Sequence, residues 1–216
     1  MTTVRRLNGL LRRVPVWLVY LLGMVPAVWA FWLGLTGGLG PDPVKALEHR
    51  LGELGLQFMV AVLAVTPLLR LSGINLMRFR RALGLLAFFN IAAHMLVWLA
   101  LDIQFHWSEI AQDILERPFI TIGMAGFVML VPLALTSNDG ALRRMGGRAW
   151  RRLHMLTYPA AIAGGVHYLM LVKAWPVEPV LYLAAIMGLL ALRLRLRRGR
   201  VSGGEGRAEP LPRARM

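Results

Sequence analysis

Charge disappears from this chain six times, each time for about the length that crosses a bilayer, and this alternation constrains the fold more than any other feature. The uncharged or nearly uncharged stretches run over 14–41, 51–69, 82–101, 118–135, 153–172 and 177–192. At 1.5 Å rise per residue, about 20 apolar residues span the hydrocarbon. Glu53 and Gln57 lie near one end of the second stretch, and the short sixth opens at Glu178 and is closed by Arg193, Arg195, Arg197 and Arg198. With 57% hydrophobic and 17% charged residues among 216, the chain carries more apolar side chain than a soluble core of its size can hide. The expectation is an all-α integral membrane bundle of six transmembrane helices.

The net charge of +14 would suggest nucleic acid in a soluble protein, but the basic residues stand in blocks between the apolar runs. Blocks of that kind mark the cytoplasmic loops of a membrane protein, so membrane lipid and no nucleic acid is the expected partner. Counted by alternate loops, 21 of the 25 Lys and Arg fall on one side, against Lys45, Arg50, Arg117 and Lys173 on the other. Both termini are therefore expected in the cytoplasm, which requires an even number of spans. The division that follows is a basic cytoplasmic amino terminus at 1–13, a transmembrane domain at 14–196 and a disordered basic tail at 197–216.

Arg5, Arg6, Arg12 and Arg13 ahead of an apolar run resemble the start of a secretory signal, yet 14–41 is too long for a signal core and has Trp29, Phe31 and Trp32 around its small residues. It reads as a retained first helix. Gly37, Gly38, Gly40 and Pro41 leave that helix, Trp175-Pro176 links the last two, and Pro26, Pro132 and Pro159 imply kinks inside the bilayer. The chain has no cysteine, so disulfides, iron–sulfur clusters and thiol-attached heme are excluded.

An ionisable residue inside a bilayer is costly and points to function. His94, His154 and His167 qualify. His94 lies thirteen residues after Arg81 and His167 thirteen after His154, so on two helices running outward His94 and His167 reach similar depth, about 20 Å from the cytoplasmic side. His154 stays near the inner edge beside Arg151 and Arg152. Neutral imidazole is a good donor to heme iron, and two rings at one depth on different helices can clamp an iron from both faces. The expected metal-binding set is His94 and His167 for an outer heme b and His154 for an inner one. His154 and His167 lie about 140° apart on an ideal helix, and Pro159 with Gly164-Gly165 supplies the residue types that rewind one.

The plainer reading is that each histidine bonds a neighbouring helix, a contribution of about 1 kcal/mol. Matched depth on two parallel helices is not required by that reading. His49 and His106 border spans on the outer side, where exposure is expected, and Trp17, Trp98, Trp107, Trp150 and Trp175 read as interfacial anchors. The twelve methionines read as packing. Arg78, Arg80 and Arg81 are candidates for heme propionates or a flavin phosphate, because guanidinium binds such anions bidentately; their alternative role is to fix topology.

Several segments resemble the ferric reductase-like membrane cytochromes: Gly38-Leu39-Gly40-Pro41-Asp42-Pro43-Val44-Lys45, Thr66-Pro67-Leu68, Arg80-Arg81-Ala82-Leu83-Gly84-Leu85, Arg117-Pro118-Phe119, Leu135-Thr136-Ser137 and Trp150-Arg151-Arg152-Leu153-His154. The resemblance covers 26–192 and includes the placing of His94, His154 and His167. It implies a b-type heme subunit, with one or two hemes, that takes electrons from the quinone pool or a cytosolic flavin reductase. They would pass to a periplasmic molybdopterin-containing reductase subunit that repairs methionine sulfoxide in oxidised periplasmic proteins. FMN is a further cofactor the resemblance implies, and the bacterial inner membrane the location. Where the wider superfamily has another histidine on helix three, this chain has Arg80 and Arg81, so the second ligand of an inner heme is open. No Gly-x-Gly-x-x-Gly fingerprint is present, so reducing equivalents must come from another molecule. Two rival functions stay in view: a quinol oxidoreductase of the cytochrome b561 type, and a heme-free transporter or assembly protein.

Overall fold

The computed structural model describes residues 2–171 and 177–202. Lys173, the Trp175-Pro176 link and positions 203–216 of the tail lie outside the described residues. Within them the chain is all-helical, in the order α1 (Thr2–Arg13), α2 (Val16–Leu35), α3 (Pro43–Ser72), α4 (Arg80–Val97), α5 (Trp107–Glu116), α6 (Pro118–Leu135), α7 (Asp139–Leu153), α8 (Thr157–Leu171) and α9 (Val177–Ser202). A 3₁₀ turn, Met77–Phe79, leads into α4, a π turn, Trp98–Asp102, ends it, and a 3₁₀ turn, His154–Leu156, precedes α8. Five helical stretches are long and apolar enough to cross a membrane: Val16–Leu35, Pro43–Ser72, Met77–Asp102, Pro118–Leu135 and Val177–Leu196. The remaining stretch expected to cross, 153–172, is occupied by the 15 residues of α8 and its leading turn.

The most extensive helix contacts are α3 with α4 and α6 with α8, and α9 closes the bundle against α3 and α8. Leu56, Met59, Leu63, Ala87, Leu130, Leu133, Ala160, Ala161 and Ile186 form the shared core. Helix α2 lies outside, on α3 and α4. It has no polar face and buries only small residues, Ala27 and Ala30, while Trp17 (63%) and Trp29 (59%) are exposed. Lipid tails solvate such side chains as well as a protein core does, so small residues at the contact, with Gly23 against Leu86, decide how the helix docks.

Helix α3 begins at Pro43, well before the apolar stretch at 51. Asp42 caps it by accepting from the Lys45 backbone N–H at 3.1 Å, Pro43 occupies the first turn, and Gly73 ends it in the left-handed region at φ 76°. Its 30 residues reach about 45 Å, longer than the ~30 Å of hydrocarbon, so a helix of this length has turns to spare for Lys45, Glu48 and Arg50 near its start. Within α3, Pro67 has no N–H to give the Leu63 carbonyl. Arg193 of α9 fills that vacancy: its Nε donates to Leu63 O at 2.9 Å, Nη2 to Val62 O at 3.0 Å and Nη1 to the Tyr158 hydroxyl at 3.3 Å. One guanidinium thus ties α9, α3 and α8 together at the carbonyl that Pro67 leaves without its helical donor.

Helices α1, α5 and α7 fall in segments that the charge pattern assigns to loops or ends. Asn8 anchors α1 to the turn after α3, donating to Gly73 O at 3.0 Å and accepting from Asn75 N–H at 2.9 Å. Asn138 caps α7 through the Ala141 N–H at 2.8 Å. The arginine-bearing α1, α7 and the turn at 73–79 share one end of the bundle, where Arg81 donates to Asp139 at 2.7 Å. Helix α9 continues to Ser202, past the expected end at 192, because Arg and Leu are good helix formers wherever the solvent is.

Candidate functional site

The structure brings the rings of His94 on α4 and His167 on α8 together edge to face, with centres 6.2 Å apart and planes 73° to one another. Each ring is oriented by a neighbouring helix. His94 Nδ1 lies 2.8 Å from Glu48 O on α3, and His167 Nδ1 lies 2.7 Å from Phe119 O on α6. A carbonyl oxygen can only accept, so Nδ1 carries the proton in both rings and each Nε2 keeps its lone pair. That tautomer, with the far nitrogen anchored on a carbonyl, is the one a metal-ligating imidazole uses.

Two imidazoles that would hold one iron between them must stand close enough for a nitrogen of each to reach it. The observed separation meets that requirement. Two imidazoles also make up the whole protein contribution when four further ligands arrive with a macrocycle. His94 and His167 line an open-mouthed cavity of about 260 Å³, just under the ~300–1,000 Å³ of most small-molecule pockets. Leu56, Ile91, Phe127 and Leu130 give it apolar walls, and Gly126, Ala160 and Gly164 line it where α6 and α3 pack closely on α8. These surroundings fit heme.

The mouth carries Lys45, Glu48, His49, Asp102 and Arg117. Lys45 Nζ pairs with Asp102 at 2.5 Å and Arg117 Nε with Asp113 at 3.0 Å. The sequence reading missed this rim, although Lys45 and Arg117 are two of only four basic residues on the sparsely charged side and so could have been singled out. It also missed the polar side contacts of α3: Gln57 Nε2 donates to Glu53 at 3.0 Å and to the Tyr182 hydroxyl at 2.9 Å, with Glu53 lining the cavity. Trp98, grouped with the interfacial anchors by sequence, is 8% exposed and lines the cavity, whereas Trp107 is 71% exposed.

His154 is placed apart from the other two. Its ring stacks on Trp150 at 3.7 Å, and its Nε2 lies 3.1 Å from the Thr136 hydroxyl. Thr136 also bonds Pro132 O at 2.6 Å and accepts at its own carbonyl from Trp150 Nε1 at 2.9 Å. Arg80 and Arg81 are near enough for their charge to act on the ring. Arg78 is turned to the end of α1, donating to the carbonyls of Leu11 and Arg12. Arg81 holds Asp139, and that hydrogen bond and charge keep the exposed carboxyl below its usual range. His106 bonds its own turn at Ile103 O, 2.6 Å away, and His49 stands exposed at the cavity mouth.

The comparisons with known proteins agree with one another. Residues 51–165 match the model of the ferric reductase like transmembrane component. Proteins from Brucella ovis, Brucella canis and Brucella suis, each named protein-methionine-sulfoxide reductase heme-binding subunit MsrQ, are 53% identical over 178 residues, which is 82% of this chain and 80% of each relative. Identity of that extent leaves no room for a different fold, and the chain belongs to the MsrQ branch of the ferric reductase-like transmembrane family.

Proposed function

We propose that the chain is the b-type heme membrane subunit of a methionine sulfoxide reductase system, seated in the bacterial inner membrane with six transmembrane helices and both termini cytoplasmic. The observation that carries this reading is the close pair His94 and His167, 6.2 Å apart in an apolar cavity, in a chain whose relatives are named heme-binding subunits. The 18 residues of the 3₁₀ turn and α8 together reach about 28 Å, enough for a sixth crossing. The concentration of arginine at the end bearing α1 and α7 supports the orientation.

In this reading His94 and His167 hold heme b through Nε2, while the carbonyls of Glu48 and Phe119 fix the ring tautomer and raise the basicity of both ligands. The bound heme supplies a one-electron iron couple. Leu56, Ile91, Phe127 and Leu130 would exclude water from the macrocycle's surroundings, and at the mouth Lys45 and Arg117, now paired with Asp102 and Asp113, are the basic groups that could turn to its carboxylates. Because the mouth faces the periplasm in this orientation, electrons leave there for a periplasmic molybdopterin-containing reductase subunit acting on methionine sulfoxide in oxidised proteins. They enter from the quinone pool or a cytosolic flavin reductase. His154, with Arg80 and Arg81 beside it, is the place for an inner cofactor, either a second heme or FMN.

The test is a dithionite-reduced minus oxidised spectrum of purified protein, with heme and flavin quantified on the same sample. A b-type α band is expected, and His94→Ala or His167→Ala should remove most of it. Unchanged heme content in both variants defeats the assignment. Co-purification with a periplasmic reductase separates this role from a quinol oxidoreductase.

A further inference from the structure

The helix pair that presents His94 and the pair that presents His167 are built alike. In α3 the carbonyl of Glu48 takes the His94 Nδ1–H, and four residues on stands Gly52; in α6 the carbonyl of Phe119 takes the His167 Nδ1–H, and four residues on stands Gly123. A Cβ on Gly52 would lie 3.1 Å from His94 Nδ1, and a Cβ on Gly123 2.7 Å from His167 Nδ1. A second glycine follows three residues later in each helix. A Cβ on Gly55 would meet Ile91 at 2.4 Å, three residues before His94, and one on Gly126 would meet Ala163 at 3.2 Å, four residues before His167. The same order of parts therefore occurs twice: accepting carbonyl, glycine, glycine on one helix, and close contact followed by histidine on the other.

There is a physical reason for a glycine at that register. Along an α-helix the carbonyl of residue i is bonded by the N–H of residue i+4, and one lone pair remains for an outside donor. Every Cα–Cβ bond tilts toward the helix amino terminus, so a side chain at i+4 leans over that lone pair. Without a Cβ there, an imidazole can come in edge-on and donate.

We infer that Gly52 and Gly123 are positioning residues, matched halves of one device, whose bare Cα lets each histidine dock Nδ1–H on a helix carbonyl and so turns Nε2 into the gap between α4 and α8. The inference rests on the heme reading above and concerns how this chain sets its ligands. It predicts an order of effects, because the space at Gly123 is tighter than at Gly52. A methyl at 2.7 Å must displace the ring, whereas at 3.1 Å a few tenths of an ångström of adjustment suffices.

The experiment compares Gly123→Ala and Gly52→Ala with Gly165→Ala in purified full-length protein, measuring heme content, midpoint potential and the low-spin EPR signal. Gly165 is the packing control: it is buried, its Cβ would meet Leu183 and Ile186 at 3.1 Å, and it faces α9 rather than the histidines. Gly123→Ala should lose most of its heme. Gly52→Ala should keep heme but show a raised midpoint potential and altered g values, since a weakened Nδ1–H bond makes the imidazole a poorer donor to ferric iron. Gly165→Ala should retain the wild-type potential and spectrum. Wild-type potential and g values in both Gly52→Ala and Gly123→Ala would overturn the inference, as would equal shifts in all three variants. If Gly123→Ala fails to fold, Gly52→Ala alone decides. Wild-type protein without heme would instead remove the reading on which the inference stands.

Discussion

The two ends of this bundle treat their histidines differently. At the end that the proposed orientation makes the outer one, His94 and His167 direct their protons to backbone carbonyls and keep Nε2 without a protein partner among the described residues. At the inner end His154 has its Nε2 on the Thr136 hydroxyl and its ring against Trp150. The charges differ as well: basic and acidic residues are mixed around the cavity of His94 and His167, at Lys45, Glu48, Glu53, Asp102 and Arg117, while the charges that act on His154 are those of two arginines, Arg80 and Arg81. A donor nitrogen held in reserve marks a ligand, while one already bonded to protein marks a ring that must exchange a partner before it can ligate.

The largest expected effect follows from that contrast. His94→Ala or His167→Ala should abolish the bis-imidazole low-spin EPR signal and most of the b-type absorbance, and His154→Ala should leave the outer low-spin signal in place. If His154→Ala erased that signal while His94→Ala spared it, the distinction between the two ends would be inverted.

The next effect lies between the ends, beside Pro67 of α3. Arg193→Leu leaves the Leu63 carbonyl, which Pro67 already deprives of its helical donor, buried without a partner. The cost should be about 1–3 kcal/mol, read as a lower melting temperature in detergent. Pro67→Ala restores an N–H to that carbonyl, so the double variant should lose less than the sum of the two single changes. Strict additivity would mean that the guanidinium and the proline are energetically unrelated.

How much of this was legible in the sequence differs with the physics at stake. Hydropathy alone located the five helical stretches that are long and apolar enough to cross a membrane, because an uncharged run of bilayer length has few alternative fates. The level of His94 and His167 followed from counting residues after Arg81 and His154. The direction of the rings did not, since it depends on Gly52 and Gly123, and a glycine's meaning lies in what approaches it. The start of α3 at Pro43 was hidden by Lys45, Glu48 and Arg50, which read as loop although the Asp42-Pro43 cap was in plain view. Helices α5 and α7 were missed because charge was used to mark loops, although charged segments can be helical, as in α5 and in the two helical pieces of α7 that meet at Gly146 (φ 74°). Trp98 was misjudged because nearness to a span end does not say whether a residue faces lipid or a cavity.

A smaller effect probes the inner end itself. Thr136→Val removes the hydroxyl facing His154 Nε2 and should cost about 1 kcal/mol, in line with interhelical hydrogen bonds in membranes. It should leave the outer midpoint potential untouched. A shift of the outer potential in this variant would show that the two ends are coupled.

The smallest effect concerns Arg81 and Asp139, the ion pair that ties the start of α4 to the start of α7. The Arg81 guanidinium holds the Asp139 carboxyl below its usual range, so the folded state binds this proton less readily than the unfolded chain does. The pair therefore stabilises the fold above the ordinary carboxylate value, and the contribution is lost as pH falls through the lower, folded value. Asp139 is open to solvent, so salt screens most of the gain. Asp139→Asn should lower the melting temperature slightly at neutral pH and low salt, and the difference should close in high salt and again below about pH 4. A difference that persisted in high salt would mean the pair is shielded from solvent, and the inner end would then resemble the outer one more closely than its exposed arginines suggest.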